Sequence, residues 1–235
     1  MKTDVIVLGA GVVGISTAIH LARRGKSVVL VDRRGAAEET SYGNAGLIQR
    51  EGVFPYGFPH DFGALFRYAL NNTIDAHYHL SAIPGIIPFL ARYWWHSGFR
   101  QHQSIAHLYA PLIENSISEH ADLIAASGAD DLIRKDGWMK VFRSEKERDK
   151  AYADAEKLSA NFGVNHQKLT TAEVAAAEPS IRADLTGGLR WTDPWSILHP
   201  QALLKRYPAY FQSLCRQLEA GVPPTIPGRR ARRRG

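Results

Sequence analysis

Three glycines and an acid carry the first chemistry that the sequence offers. In VIVLGAGVVGISTAIHLARRGKSVVLVDRR, residues 5–34, Gly9, Gly11 and Gly14 stand as G-x-G-x-x-G, and Asp32 follows eighteen residues after Gly14. Each glycine answers a separate steric demand of a backbone that wraps a pyrophosphate. The first makes the tight turn, the second lets the chain approach the phosphates, and the third lets a helix pack closely on a strand. Ala10, Val12 and Val13, set between them, bring backbone N–H groups and the positive end of a helix dipole to the same phosphates. Asp32 is spaced to accept the hydroxyls of an adenosine ribose, with Arg33 beside it. An acid at that place argues against a 2′-phosphate, while Arg33 and Arg34 pull the other way. The pattern predicts a dinucleotide site of the kind that NAD and FAD share.

These residues need a β-α-β frame to hold them. Residues 4–8 are a short apolar run ending at glycine, as a buried parallel strand should. Residues 12–24 read as a helix with Gly25 placed to terminate it, and residues 27–31 form a second Val/Leu strand that ends at Asp32. A parallel crossover this tight implies a doubly wound α/β sheet.

From His60 onward the character changes. Residues 62–71 and 105–127 read as helices. The second carries a stripe of Ile105, Leu108, Leu112, Ile113, Ile117, Ala121 and Ile124, with Pro111 placed to start or kink it. GWMKVFR, 137–143, reads as a strand. Ser144 and Glu147 then have capping-box spacing ahead of a helix running to Asn161. Thr170 and Glu173 repeat the device, and Pro179 stops that helix. Residues 188–192 form another strand and 200–214 another helix.

The greasy stretch 81–95, SAIPGIIPFLARYWW, is too short and too Pro-broken to span a bilayer. Its aromatic residues favour a buried segment over an interfacial one. From residue 218 the pattern collapses. GVPPTIPGRRARRRG holds three Pro, three Gly and five Arg in fifteen residues, too little apolar surface to offset the entropy of ordering. The expected organisation is a dinucleotide-binding unit with its following loop over 1–59, a helix-rich cap or substrate region over 60–218, and a disordered basic tail over 219–235.

Composition narrows the function classes. Hydrophobic residues at 45% and charged residues at 22% are ordinary for a soluble globular protein. The net charge of +6 belongs to the tail, because without its five arginines 24 basic residues face 23 acidic ones. That tail has no interleaved aromatics, so no specific nucleic-acid partner is expected. A single cysteine, Cys215, excludes an internal disulfide and fits a reducing compartment. The ten histidines form no HExxH pattern, and no metal is expected. The first apolar run is interrupted by glycines and followed, not preceded, by its positive charges, unlike a signal peptide.

On these residues the sequence resembles the FAD-dependent D-amino-acid oxidase superfamily, bacterial D-amino-acid dehydrogenases in particular. The resemblance rests on the β-α-β unit, on Glu39-Thr40-Ser41-x-x-Asn44-Ala45-Gly46, on AEPSI at 177–181 and on GGLRWTDPWSILHP at 187–200. It implies that Thr40, Ser41, Asn44, Ala45, Gly46 and Leu47 form the loop on the flavin side. There hydroxyls and an amide meet phosphate or ribityl oxygens, and small residues admit a flat ring. It implies FAD as cofactor, a D-amino acid as substrate, and hydride transfer from Cα–H to flavin N5, giving an imino acid that hydrolyses to keto acid and ammonia. It also implies an electron acceptor, such as the respiratory chain, and a cytoplasmic chain lying peripherally at the inner face of the plasma membrane.

The resemblance covers roughly the first half of a family member, so the expectation is a truncated Rossmann-like unit with impaired activity. The Arg-rich ending reads as out-of-frame translation or a gene cut short. No residue matches the Arg and Tyr side chains that bind the substrate carboxylate, and no catalytic residue is assigned. Arg182, Arg190, Tyr207 and Tyr210 read as surface or packing residues. Three alternatives stand beside this reading. One is a non-catalytic remnant with weak dinucleotide binding, and another is a different amine- or imino-acid-oxidising member of the superfamily. The third, an NAD-linked dehydrogenase, calls for further β-α repeats after Asp32.

Overall fold

The structure, a computed structural model, describes residues 2–71, 74, 77–181, 184–214 and 217–221. In chain order, β1 (Val5–Leu8), α1 (Val12–Arg23) and β2 (Val28–Asp32) form the expected crossover. They are followed by β3 (Leu47–Ile48), α2 (Phe62–Ala69), α3 (Ile83–His96), α4 (Phe99–Glu114) and α5 (Ser116–Ala126). Next come β4 (Ile133–Arg134), β5 (Trp138–Phe142), α6 (Glu145–Phe162), β6 (His166–Leu169) and α7 (Thr171–Ala177). The chain then passes through β7 (Gly187–Trp191), β8 (Trp195–Ile197), α8 (Pro200–Ser213) and β9 (Gln217–Ala220). Two compact units interleave along this order: one gathers residues 1–48, 117–138 and 194 onward, the other 49–116 and 139–193.

The first unit is built on a parallel sheet ordered β1-β2-β9. Val5 pairs with Val28 and Leu8 with Val31, while Val29 pairs with Gln217 and Asp32 with Ala220. α1 buries Ile15, Ala18, Ile19 and Ala22, the i, i+3, i+4, i+7 stripe of a helix packed on one face. Leu203, Leu204, Tyr207 and Phe211 of α8 join the same core. Arg23 of α1 ties across to α8 by donating from Nε to the Tyr210 hydroxyl at 3.0 Å. A small antiparallel sheet, β3-β8-β4, completes the unit.

β9 corrects the expectation that order ends near residue 218. The open edge of β2 supplies backbone partners for Gln217–Ala220, and Leu218 packs against the core. Pairing, not intrinsic propensity, makes this strand. The rest of the expected basic tail, from residue 222, lies outside the described residues, as does Arg182.

The second unit carries the sheet β5-β7-β6, with His166 opposite Trp191 and Leu169 opposite Gly188. The Tyr152 hydroxyl of α6 lies 3.1 and 3.0 Å from the carbonyl oxygens of Leu169 and Gly188. At α7 the capping box forms as expected: Thr170 N donates to Glu173 at 2.8 Å and Glu173 N to Thr170 Oγ1 at 3.3 Å. At α6 it does not, and the Ser144 side chain makes no capping bond.

Two further expectations change. The single helix over 105–127 is two helices, and the break falls after Glu114 rather than at Pro111. Asn115 ends the first by donating from both N and Nδ2 to the Pro111 carbonyl, at 3.3 and 2.9 Å. Residues 81–95 are not a buried loop. They form most of α3, which accepts Pro84 in its first turn and contains Pro88. Ile86, Ile87, Phe89, Trp94 and Trp95 are exposed.

Candidate functional site

The turn from β1 into α1 shows why two of its glycines are glycine. Gly9 has φ +99°, where a side chain would be strained, and its N–H donates to the Val31 carbonyl at 2.7 Å. A Cβ on Gly14 would lie 1.8 Å from the Gly9 carbonyl oxygen. Gly11 is under neither constraint, since a Cβ there would meet only Ser41 Oγ, at an ordinary 3.5 Å. Its neighbours do not require a glycine, whereas a ligand backed against the main chain would. The first turn of α1 adds N–H groups that have no intrahelical acceptor. Ser41, itself buried, takes one of them, its Oγ accepting from Val12 N at 3.3 Å. Val13 is exposed on the same turn.

Asp32 ends β2 with a carboxylate that is only 9% exposed. Its Oδ2 accepts from Ala10 N at 2.7 Å, and its Oδ1 accepts from Arg34 N and Gly35 N at 2.9 and 3.1 Å. Burial alone raises this acid, but the N–H groups of Ala10, Arg34 and Gly35 and the charge of Arg33 outweigh it and hold the group below the usual carboxylate range. Asp32 thus ties the β1–α1 turn, through Ala10, to the loop that follows β2, through Arg34 and Gly35.

A groove of about 340 Å³ opens beside these residues, lined by Leu8, Gly9, Gly11, Val31, Asp32, Arg33 and Glu39. A smaller cavity of about 90 Å³ adjoins it, sharing Gly11, Asp32 and Glu39 and adding Thr40 and Ser41. The structure therefore brings together the glycine turn, Asp32, Arg33, Thr40 and Ser41. Asn44, Ala45, Gly46 and Leu47 line neither space. Asn44 Oδ1 accepts from Gly46 N at 2.7 Å, and the Gly46 carbonyl accepts from Ile197 N at 2.6 Å. Leu47 then pairs with Ser196, so this end of the loop is tied to β8.

Sequence reasoning gave no role to Glu39, which reaches the groove rim. Its Oε1 accepts from Arg33 Nη2 and Nε at 2.7 and 3.1 Å and lies 3.1 Å from Arg34 Nε. The available signal was two adjacent cations beside a ribose site with an acid six residues on.

Comparison with known proteins decides the family. The profile described as FAD dependent oxidoreductase, DAO, matches residues 4–220. The chain belongs to the DAO family of FAD-dependent oxidoreductases. It is 35% identical over 199 residues to a D-amino acid dehydrogenase of Cereibacter sphaeroides, covering 80% of this chain and 44% of the relative. A D-amino acid dehydrogenase of Phenylobacterium zucineum is 33% identical over 195 residues, 79% of this chain and 44% of that protein. The chain thus spans less than half the length of these curated relatives.

Among solved structures, glycine oxidase from Bacillus cereus superposes with a TM-score of 0.56 at 20% identity, over 94% of this chain and 46% of that one. L-amino acid deaminase from Proteus vulgaris superposes with a TM-score of 0.58 at 20% identity, over 94% and 40%. These show a shared fold, the α/β fold of DAO-type flavoenzymes. The groove suits the adenosine and pyrophosphate of FAD, with room at Gly11, donors on α1 and apolar walls in Leu8 and Val31.

Proposed function

We propose that this chain is the FAD-binding portion of a dehydrogenase that oxidises D-amino acids to keto acids and ammonia. The observation that carries the reading is the groove beside the Gly9–Gly14 turn, opening onto Asp32 and joined with identity to D-amino acid dehydrogenases of 33% and 35%. Gly9, Ala10, Gly11, Val12, Val13 and Gly14 would hold the pyrophosphate, and Asp32 with Arg33 the ribose. Thr40 and Ser41 would flank them, with Asn44, Ala45, Gly46 and Leu47 on the flavin side. FAD, when bound, supplies the acceptor for a hydride from the amino acid's Cα. The residues here orient and hold it: Ser41 fixes the first turn of α1 through Val12 N, and Asp32 keeps the β1–α1 turn closed on Ala10.

The test is the visible spectrum of the purified 235-residue chain after FAD addition and removal of the excess. A retained flavin spectrum supports the reading, and D-amino-acid turnover with an artificial acceptor then tests the substrate. A colourless, folded chain overturns FAD binding by this portion alone. A second reading, a weak dinucleotide binder without activity, is favoured by Ile6, exposed at 58% on β1 away from the groove. Retained flavin without turnover selects it.

Among the described residues no helix is long and apolar enough to cross a membrane. Peripheral attachment at the inner face of the plasma membrane, close to a respiratory electron acceptor, is the proposed location. It is supported by exposed Phe89, Trp94 and Trp95 on α3 and by charge. Residues 62–113 hold Arg67, Arg92 and Arg100 against Asp75 as the one acid, a composition suited to an anionic lipid surface. Co-sedimentation with phosphatidylglycerol vesicles but not with phosphatidylcholine vesicles is expected. Equal or absent binding to both refutes it.

A further inference from the structure

We propose that Glu39 decides which nucleotide the groove accepts. By engaging Arg33 and Arg34 and placing a carboxylate at the ribose end, it admits an adenosine with a free 2′-hydroxyl and turns away one that carries a 2′-phosphate. The inference rests on the dinucleotide reading of the groove and adds a specificity residue to it.

Three observations lead there. First, two guanidinium groups stand directly after Asp32, and a paired Arg fork is the group best matched to a phosphate dianion. Left alone, these cations, Arg33 among them on the groove wall, would draw a 2′-phosphate towards this end of the groove. Second, both are held by one oxygen: Glu39 Oε1 lies 2.7 and 3.1 Å from Arg33 nitrogens and 3.1 Å from Arg34 Nε. Third, Glu39 lines both the main groove and the adjoining small cavity, in the company of Asp32 and Gly11.

The carboxylate arithmetic favours an added role for Glu39. A carboxylate offers about four lone-pair sites. Asp32 has already accepted from the N–H groups of Ala10, Arg34 and Gly35, which leaves it room for about one ribose hydroxyl. Glu39 meets both arginines through Oε1, so its Oε2 is assigned to accept from a second hydroxyl. A 2′-phosphate arriving at the same place would face two carboxylates, buried Asp32 and half-exposed Glu39, with Arg33 and Arg34 already engaged by Glu39, and like charges in that arrangement repel.

The experiment compares two isomers with the same number of phosphates, adenosine 5′-diphosphate and adenosine 2′,5′-bisphosphate, by calorimetric titration of the 235-residue chain. The parent is expected to bind the 5′-diphosphate at least about tenfold more tightly. Glu39→Gln, a change at a side chain 41% exposed, is expected to shift the ratio by about tenfold or more towards the 2′,5′-bisphosphate. Glu39→Asp, which keeps the charge, should preserve the parent's preference, and Arg33→Ala added to Glu39→Gln should cancel the gain. A parent that binds neither isomer overturns the nucleotide reading and this inference together. Binding of the 5′-diphosphate with a ratio that Glu39→Gln leaves unchanged, or that Glu39→Asp changes as much, overturns the role of Glu39 alone.

Discussion

Gly14→Ala is the perturbation whose size follows most directly from the structure. The new Cβ would lie 1.8 Å from the Gly9 carbonyl oxygen and 3.0 Å from the Gly9 carbonyl carbon, where real Cβ atoms stay beyond 3.0 Å. About 1.2 Å must therefore open between α1 and the preceding turn. Neither side can yield by a rotamer change, because both atoms belong to backbone. α1 is held by buried Ile15, Ala18, Ile19 and Ala22, and the turn by the bonds of Gly9 to Val31 and Ala10 to Asp32. Overpacking a well-filled site costs about 1–3 kcal/mol, and with two rigid partners the upper end, about 3 kcal/mol, is expected. For a chain of this length that lowers the melting temperature by roughly 6–12 °C.

Gly11→Ala is the matched control. Its Cβ meets only Ser41 Oγ at 3.5 Å, so stability should fall by less than about 1 kcal/mol, the scale of a helix N-cap preference. It instead fills the space in which a pyrophosphate would approach, and FAD affinity should drop at least about tenfold, or roughly 1.4 kcal/mol. Urea unfolding followed by circular dichroism reads stability, and flavin fluorescence reads affinity. The reasoning is refuted if Gly14→Ala unfolds within about 0.5 kcal/mol of the parent. It is equally refuted if Gly11→Ala loses stability while keeping FAD.

Two other outcomes follow from single side chains. Asp32→Ala should weaken FAD binding by about 1–3 kcal/mol, measured by flavin titration. Because the folded pKa of Asp32 lies below its unfolded value of 3.8, its contribution to stability is complete above about pH 4. It is lost as pH falls through the folded value, and acid unfolding of Asp32→Ala should show a shallower loss across that window. Tyr207 is fully buried with a hydroxyl that has no partner among the described residues, and burial pushes its phenol up to about 12. Removing an unpaired buried hydroxyl is neutral or stabilising by about 1 kcal/mol, so Tyr207→Phe should not lower the urea midpoint. The raised folded pKa means that stability declines between about pH 10 and 12, and Tyr207→Phe should blunt that decline.

Much of the glycine turn was legible because each of its residues answers a local demand. Gly9 is dictated by φ, Gly14 by a carbonyl oxygen, and Asp32 by the end of a strand. Thr170 and Glu173 belong to the same class, since both bonds of the capping box lie within four residues. Ser144 and Glu147 have identical spacing, yet Ser144 forms no such bond. Spacing permits the pair and the surrounding packing decides it. Glu39 was present in the quoted motif without a role, because its meaning depends on a loop folding back to set one oxygen against two arginines. No periodicity encodes a return over six residues. β9 was illegible for the same reason, as it becomes a strand through the open edge of β2. α3 failed differently. Hydrophobicity states what a side chain prefers, yet Trp95 stays exposed and Trp94, although stacked on His60 with ring centroids 5.0 Å apart, is still exposed.

β1 makes that last distinction sharper. VIVL has no polar alternation, and such a run belongs to a parallel strand covered on both faces. α1 and the core cover one face, leaving Val5 and Val7 half-buried and Ile6 and Leu8 exposed at 58% and 57%. The two exposed residues call for different partners. Leu8 lines the groove with Val31, where the proposed nucleotide would supply apolar contact through its adenine ring. Ile6 does not line the groove, and its side chain calls for protein. FAD should accordingly stabilise the β1–α1 turn in the 235-residue chain without covering Ile6.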